Sequence, residues 1–89
     1  MEFYQWDEGK NNRLKRERGV SFEQAVLHIE RGDILDILAH PNPEKYPGQQ
    51  VMILEINEYV YVVPFLERGD HRVLKTIFPS RKLTKQYLG

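Results

Sequence analysis

The second half of the chain is a series of apolar runs of strand length. "VMILEI" (51–56) and "YVYVVPF" (59–65) are rich in β-branched and aromatic residues, and only Asn57 and Glu58 separate them. Two such runs joined by two residues predict a tight β-hairpin. After a turn at "LERGD", the run "HRVLKTIF" (71–78) predicts the last strand of the chain.

Two more runs, "EFYQW" and "DILDILAH", predict further strands. In the second run Leu35, Ile37 and Ala39 alternate with other residues, which is the period of a strand. The segment "PNPEKYPGQQ" that follows predicts a loop, because three Pro and a Gly interrupt it. Pro64 cannot donate a ladder hydrogen bond, so it predicts a strand end or a sheet edge.

Helices are predicted near the N-terminus and at the C-terminus. One apolar stripe has helical spacing: Phe22, Ala25, Val26 and Ile29. Asp7, Ser21 and Ser80 each stand where a side chain can cap the start of a helix, and Gly19 can end the first one. Gln24, three residues after Ser21, completes a capping-box pattern.

These elements occur in the order β-α-α-β-β-β-β-α, with antiparallel pairing of consecutive strands. The sequence therefore predicts one α+β domain over residues 1–89. We expect two N-terminal helices packed on one face of a roughly four-stranded antiparallel sheet, followed by a short C-terminal helix.

The amino-acid composition excludes several kinds of site and of cross-link. The chain has 89 residues, enough for a single core, and it has no Cys, which excludes disulfides and thiolate chemistry. Its three His are scattered without ligand spacing, so we expect no metal and no cofactor. The start of the chain does not have the pattern of a signal peptide, and no apolar stretch is long enough for a membrane span. We expect a soluble cytoplasmic protein.

Charge is distributed unevenly although the total is zero. Residues 1–20 carry five cations and four anions (+1), residues 21–58 two and seven (−5), and residues 59–89 six and two (+4). The basic C-terminal third could attract phosphate, and the acidic middle could attract a basic partner.

Four motifs occur in sequence: "WDEGKNN", "RGVSFEQA", "ERGD" and "SRK" before the last helix. Together they resemble the BrnT family, ribonuclease toxins of type II toxin–antitoxin modules with a RelE-like fold, over nearly the whole chain. The resemblance implies a metal-independent endoribonuclease that inhibits translation. It also implies a complex with a cognate antitoxin of ribbon-helix-helix type.

The sequence departs from the family pattern at three places. Arg16, Glu17 and Arg18 stand where the family has a His between the first two helices, Thr76 replaces an expected cation, and Pro79 replaces a small residue. The missing His and Thr76 favour an alternative function, a non-catalytic module that binds an antitoxin-like partner on the same fold. The retained Arg81 and Lys82 favour the enzyme.

Three residues are candidates for catalysis. Arg81 follows a strand at the start of a helix, where a guanidinium and free backbone N–H groups can hold an RNA phosphate. The alternative is a surface arginine paired with the acidic middle of the chain. Lys75 alternates with apolar Val73 and Ile77, which predicts either a phosphate contact or a side chain that reaches solvent along the sheet edge. Glu17 could act as the general base, or it is an exposed helix-end residue.

Five further residues are candidates for RNA binding: Lys82, Lys85, Arg18, Lys10 and His71. The alternative for each is an ordinary solvated side chain. Tyr46 and Tyr87 could stack on bases. We interpret His28 and His40 as structural residues, the second at a strand end.

Overall fold

The structure, a computed structural model, describes residues 3–89 and has three helices and a mixed six-stranded sheet. The elements in chain order are β1 (Phe3–Gln5), α1 (Glu8–Arg18), α2 (Phe22–Glu30), β2 (Ile34–Ala39), β3 (Gln49–Ile56), β4 (Tyr59–Arg68), β5 (His71–Leu74), β6 (Phe78–Pro79) and α3 (Arg81–Leu88). Glu2, in the predicted first strand, lies outside the described residues. In the part of the chain that is described, no helix could cross a bilayer.

The sheet has the strand order β1-β5-β4-β3-β2, and β6 pairs with β4 beyond the end of β5. Pairing is antiparallel except between β1 and β5, which run parallel with Phe3 opposite His71. The sheet therefore has six strands where roughly four were predicted, and the predicted antiparallel pairing holds for every pair except β1–β5. Strands β1 and β5 run in the same direction, and along the chain α1, α2 and the β2–β4 meander separate them.

The two faces of the sheet carry separate apolar clusters. The first includes Phe22 and Ala25 from α2 with Met52 and Phe65 from the sheet, all fully buried. The second includes Val51, Ile53, Val60 and Val62 and is covered by Leu83 and Tyr87 of α3. The two N-terminal helices thus pack on one face of the sheet, as predicted, and α3 covers β3 and β4 on the other face.

Local signals placed the helix ends and the hairpin correctly. The side chains of Asp7, Ser21 and Ser80 accept hydrogen bonds from backbone N–H groups three residues on, as helix caps do. The hairpin turn holds Asn57 and Glu58 at φ values of 53° and 63°. Positive φ at both turn residues identifies a primed turn, the kind that matches strand twist.

The predicted last strand, residues 71–78, is interrupted. Pro64, predicted at a strand end or a sheet edge, lies inside β4. Leu74 ends β5 and Phe78 begins β6, so residues 75–77 have no strand structure. The carbonyl oxygen of Pro64 accepts the N–H of Lys75 at 2.8 Å. A strand residue directs its nitrogen and its carbonyl to the same side. The nitrogen of Pro64 therefore faces the interruption, where no ladder bond is required.

A candidate nucleic-acid groove around Phe78

Two adjacent cavities share His40, Pro64 and Phe78 and form one groove, which we call the Phe78 groove. The α3 cavity, of about 510 Å³, is completed by residues that include Leu38, Pro41, Val62, Lys82, Leu83 and Gln86. The loop cavity, of about 450 Å³, is completed by Tyr46, Gln49, Lys75 and Thr76. The groove thus runs between two lysines, Lys75 in one cavity and Lys82 in the other.

An aromatic surface lies between these lysines. The Phe78 side chain is 38% exposed although it is large and apolar. The rings of His40 and Tyr46 contact each other with centroids 4.4 Å apart, and the ammonium of Lys45 lies 5.5 Å from the Tyr46 ring. Exposed aromatic rings beside lysines are the elements that bind bases and phosphates of single-stranded nucleic acids.

His40 is held in one tautomer when it is neutral. Its Nδ1 accepts the backbone N–H of Asn42 at 3.0 Å. A neutral imidazole with Nδ1 as acceptor carries its proton on Nε2. Neutral His40 therefore carries a hydrogen-bond donor at Nε2, while its Nδ1 is already occupied by the Asn42 N–H.

The start of α3 presents two free backbone donors next to the groove. Ser80 uses its hydroxyl and its carbonyl to accept the N–H groups of Leu83 and Thr84. The N–H groups of Arg81 and Lys82 have no acceptor among residues 3–89. Both side chains are exposed, so two cationic groups and two N–H donors are available to an anion at this helix end.

Two contacts fix the position of α3 on the sheet. The Val60 N–H donates to the Thr84 hydroxyl at 2.9 Å, and the Val60 carbonyl accepts the Ser80 N–H at 2.9 Å. The Tyr87 hydroxyl also donates to the Asp36 carboxylate at 3.1 Å. Burial, and then this contact with a carboxylate, raise the pKa of Tyr87 above its ordinary value. Tyr87 thus helps to anchor α3 on the sheet through its hydroxyl and its packing on the second cluster.

Arg18 supports the groove from the other side of the sheet. Its guanidinium donates to the carbonyl of Ile77, in the interrupted segment 75–77. Lys75 belongs to that segment and is exposed. The prediction that Lys75 shares a strand face with Val73 and Ile77 was wrong, because strand alternation ends at Leu74.

Arg81 lies beside the groove but lines neither cavity, and the remaining predicted residues also lie outside both. Glu17 is exposed in the last turn of α1, and Lys10 lies in the first turn of the same helix. Lys85 is exposed on α3, one turn after Arg81. His71 contacts the Asp70 carboxylate at 2.8 Å and the ring of Phe3 at 5.6 Å, at the β1–β5 edge.

Asn11 of the "WDEGKNN" motif has a structural role. It is fully buried, and its side-chain oxygen accepts the N–H of Phe22 at 2.8 Å. Its side-chain nitrogen donates to the carboxylates of Glu8 at 3.2 Å and Glu23 at 2.7 Å. The hydrogen bond from Asn11, followed by the backbone N–H of Glu23 itself, holds the pKa of Glu23 below its ordinary value. Asn11 therefore joins α1 to α2.

A separate polar cleft lies where α2 ends near the hairpin turn. His28 is buried and its Nδ1 lies 2.8 Å from the carboxylate of Asp33, beside Arg31, Glu55 and Glu58. Across the described range, no three His, Cys, Asp or Glu side chains form a group that could hold a metal. The cleft combines charges of both signs, and we assign it no function.

Sequence reasoning missed His40 as a groove residue. The available signal was the loop "HPNPEKYPG", which places a His and a Tyr six residues apart beside Pro and Gly turns. The groove depends on the β2–β3 pairing, which closes this loop, and on the interruption at 75–77. No family model, curated protein or solved structure matches the chain.

Proposed function

We propose that this protein is a metal-independent endoribonuclease, the toxin of a cytoplasmic type II toxin–antitoxin module with a RelE- and BrnT-like fold. A single observation carries the proposal. The Phe78 groove combines the exposed ring of Phe78 and the half-buried rings of His40 and Tyr46 with Lys75 and Lys82. Arg81 begins α3 beside it. Stacking surfaces between cations suit a single RNA strand, and a cationic helix start suits the phosphate that reacts.

The nucleophile and the leaving group of the reaction both belong to the RNA. The 2′-hydroxyl oxygen forms a bond to the adjacent phosphorus while the bond from phosphorus to the 5′-oxygen breaks. The proton of the hydroxyl passes to a base, and the leaving oxygen takes up a proton. Negative charge grows on the phosphate oxygens, where Arg81 and the free N–H groups at the α3 start stabilise it. Lys75 and Lys82 hold the flanking phosphates.

The residues that line the groove include no carboxylate that could act as the general base, and this supports a second candidate function. Glu17 lines neither cavity, and the Nδ1 of His40 already accepts the Asn42 N–H. We therefore propose no step for Glu17. A groove without a base favours the non-catalytic alternative, in which the same surface binds a partner protein without cutting RNA.

Inducible expression with RNA analysis tests the proposal. Wild-type expression should arrest growth and produce RNA fragments with 2′,3′-cyclic phosphate and 5′-hydroxyl ends. Arg81→Ala should lower the cleavage rate about a hundredfold to a thousandfold, the typical effect of removing one donor to a developing oxyanion. Arg13→Ala is the matched control, because it removes an exposed arginine from α1 on the opposite face of the sheet. Normal growth with intact RNA at high wild-type expression would refute the enzyme and favour the binding module.

The same assay separates the roles of the lysines. Lys82→Ala and Lys75→Ala should weaken RNA binding more than they lower the rate at saturating RNA, because each contacts a flanking phosphate. Both variants should keep the wild-type melting temperature, since both side chains are exposed.

The antitoxin proposal has its own test. The basic third of the chain, with a net charge of +4 over residues 59–89, suits a partner that brings acidic groups to the groove. Co-expression with the product of the adjacent gene should yield a hetero-oligomer that protects RNA. Failure to isolate such a complex at physiological salt would contradict this part of the proposal.

A further inference from the structure

We propose that the α3 cavity binds one adenine nucleotide of the RNA strand and that Gln86 reads the edge of its base. This inference rests on the proposed function, because it names the base preference of the same groove. It adds a specificity determinant, Gln86, to a site so far described only through phosphate contacts.

The size and the walls of the cavity suit one base. Its volume of about 510 Å³ lies within the range of small-ligand sites, and its walls are mostly apolar, with Leu38, Pro41, Val62 and Leu83 among them. A base pair in a duplex would not enter such a cavity, whereas one unstacked base can. The exposed ring of Phe78 is available for its face.

Charge complementarity favours a nucleotide over an apolar anchor of a protein. Lys82 lines the cavity, and the free N–H groups of Arg81 and Lys82 lie at the same end of α3. The remaining polar groups of the lining include the Ser80 hydroxyl, which already accepts the Leu83 N–H. An apolar peptide side chain would leave Lys82 without a partner, whereas a nucleotide supplies a phosphate for it.

Gln86 is the group that can read a base in this cavity. It lies one helical turn after Lys82, so both side chains belong to the same side of α3. Its amide presents one acceptor and two donors. A glutamine amide pairs with adenine through N6 and N7 in two parallel hydrogen bonds.

Adenine also fits the apolar walls better than the other bases. It is the only one of the four RNA bases without a carbonyl oxygen. A buried carbonyl without a hydrogen-bond partner is unfavourable. The polar side chains of the lining are those of His40, Ser80, Lys82 and Gln86. With Lys82 holding the phosphate, a second polar edge, as in guanine or uracil, would find few side-chain partners in this lining.

Nucleotide titrations test the inference without requiring RNA cleavage. Protein made by cell-free synthesis is titrated with AMP, GMP, CMP and UMP while amide shifts are followed by NMR. AMP should bind most tightly and shift the signals of Phe78 and α3. Gln86→Ala should weaken AMP binding about threefold to tenfold, the effect of one or two neutral hydrogen bonds, and should reduce the preference for AMP over the other nucleotides.

Two further variants complete the design. Ala39→Trp fills the cavity from an exposed position in β2 and should abolish binding of all four nucleotides. Gln5→Ala is the matched control, because it removes an exposed glutamine from the opposite sheet edge and should change nothing.

The outcomes separate this inference from the proposed function. Equal affinities for the four nucleotides, or an unchanged AMP preference in Gln86→Ala, would overturn it even if the wild type cuts RNA. An AMP preference that depends on Gln86 would support it even if no RNA is cut. A partner protein that occupies the cavity while no nucleotide binds would also overturn it.

Discussion

Replacement of Asn11 should uncouple the first two helices and destabilise the whole domain. Asn11→Ala removes the acceptor for the Phe22 N–H and the donor for the carboxylates of Glu8 and Glu23. Phe22 is fully buried, so water cannot replace the lost acceptor. The residue belongs to the motif that suggested the toxin family, and its loss would therefore reduce activity through unfolding.

The magnitude follows from these contacts. A buried donor without a partner costs about 1–3 kcal/mol. The bond to Glu23 adds about 0.5–1.5 kcal/mol, at the low end for a charged partner because the Glu23 side chain is 52% exposed. Together we expect a loss of about 2–4 kcal/mol. For a domain of this size that corresponds to a melting temperature lower by roughly 10–30 °C.

For the Asn11→Asp variant, the loss of stability relative to the wild type should depend on pH. The substitution keeps the acceptor for Phe22 but directs a carboxylate oxygen at Glu8 and Glu23. In the wild type the lowered pKa of Glu23 stabilises the fold above the ordinary glutamate pKa, and this contribution is lost as the pH falls through the folded value. In the Asn11→Asp variant, a lower pH protonates the carboxylates and so reduces the repulsion between the introduced carboxylate and those of Glu8 and Glu23. The stability difference between the two proteins should therefore narrow from pH 7 towards pH 4.

Urea denaturation followed by circular dichroism at several pH values measures these differences. Asn12→Asp is the control, because it makes the same chemical change at the neighbouring exposed position. A loss below about 1 kcal/mol in Asn11→Ala, or equal stability of Asn11→Asp and wild type at pH 7, would refute this account of the α1–α2 contact.

Three further predictions concern the sheet and α3. Thr84→Val should lower the unfolding free energy by about 1–3 kcal/mol in urea denaturation, because it leaves the N–H of fully buried Val60 without its acceptor. Glu58→Gly should raise it by about 0.5–1 kcal/mol, since glycine tolerates the φ of 63° better, and a decrease would contradict the turn assignment. In an ultraviolet titration Tyr87 should ionise above the ordinary tyrosine pKa, and Asp36→Asn should move it back towards that value; no shift would contradict the contact.

Features set by neighbouring residues in the chain could be predicted from the sequence. Ser21 and Ser80 cap helices through N–H groups three residues away, so the signal and its partner lie in one short segment. The hairpin at Asn57 and Glu58 is equally local. The bounds of α2 followed from its apolar stripe, which faces the first cluster.

Features set by distant residues could not be predicted in this way. The interruption of the last strand at residues 75–77 depends on Pro64 in β4, and Arg18 of α1 accompanies it with a bond to Ile77. The strand-like composition of residues 71–78 does not indicate either contact. His40 joined the candidate site for the same reason, because the β2–β3 pairing and Tyr46 position it.

The parallel contact between β1 and β5 has a consequence for the order of folding. Phe3 pairs with His71, and the Phe3 N–H donates to the Asp70 carbonyl, so this contact closes a loop that spans residues 3–71. Closing a long loop has a larger entropic cost than closing the β3–β4 hairpin. We therefore expect β1 to dock after the meander has formed. In native-state hydrogen exchange its amides should open without global unfolding, whereas those of β4 should exchange only when the domain unfolds.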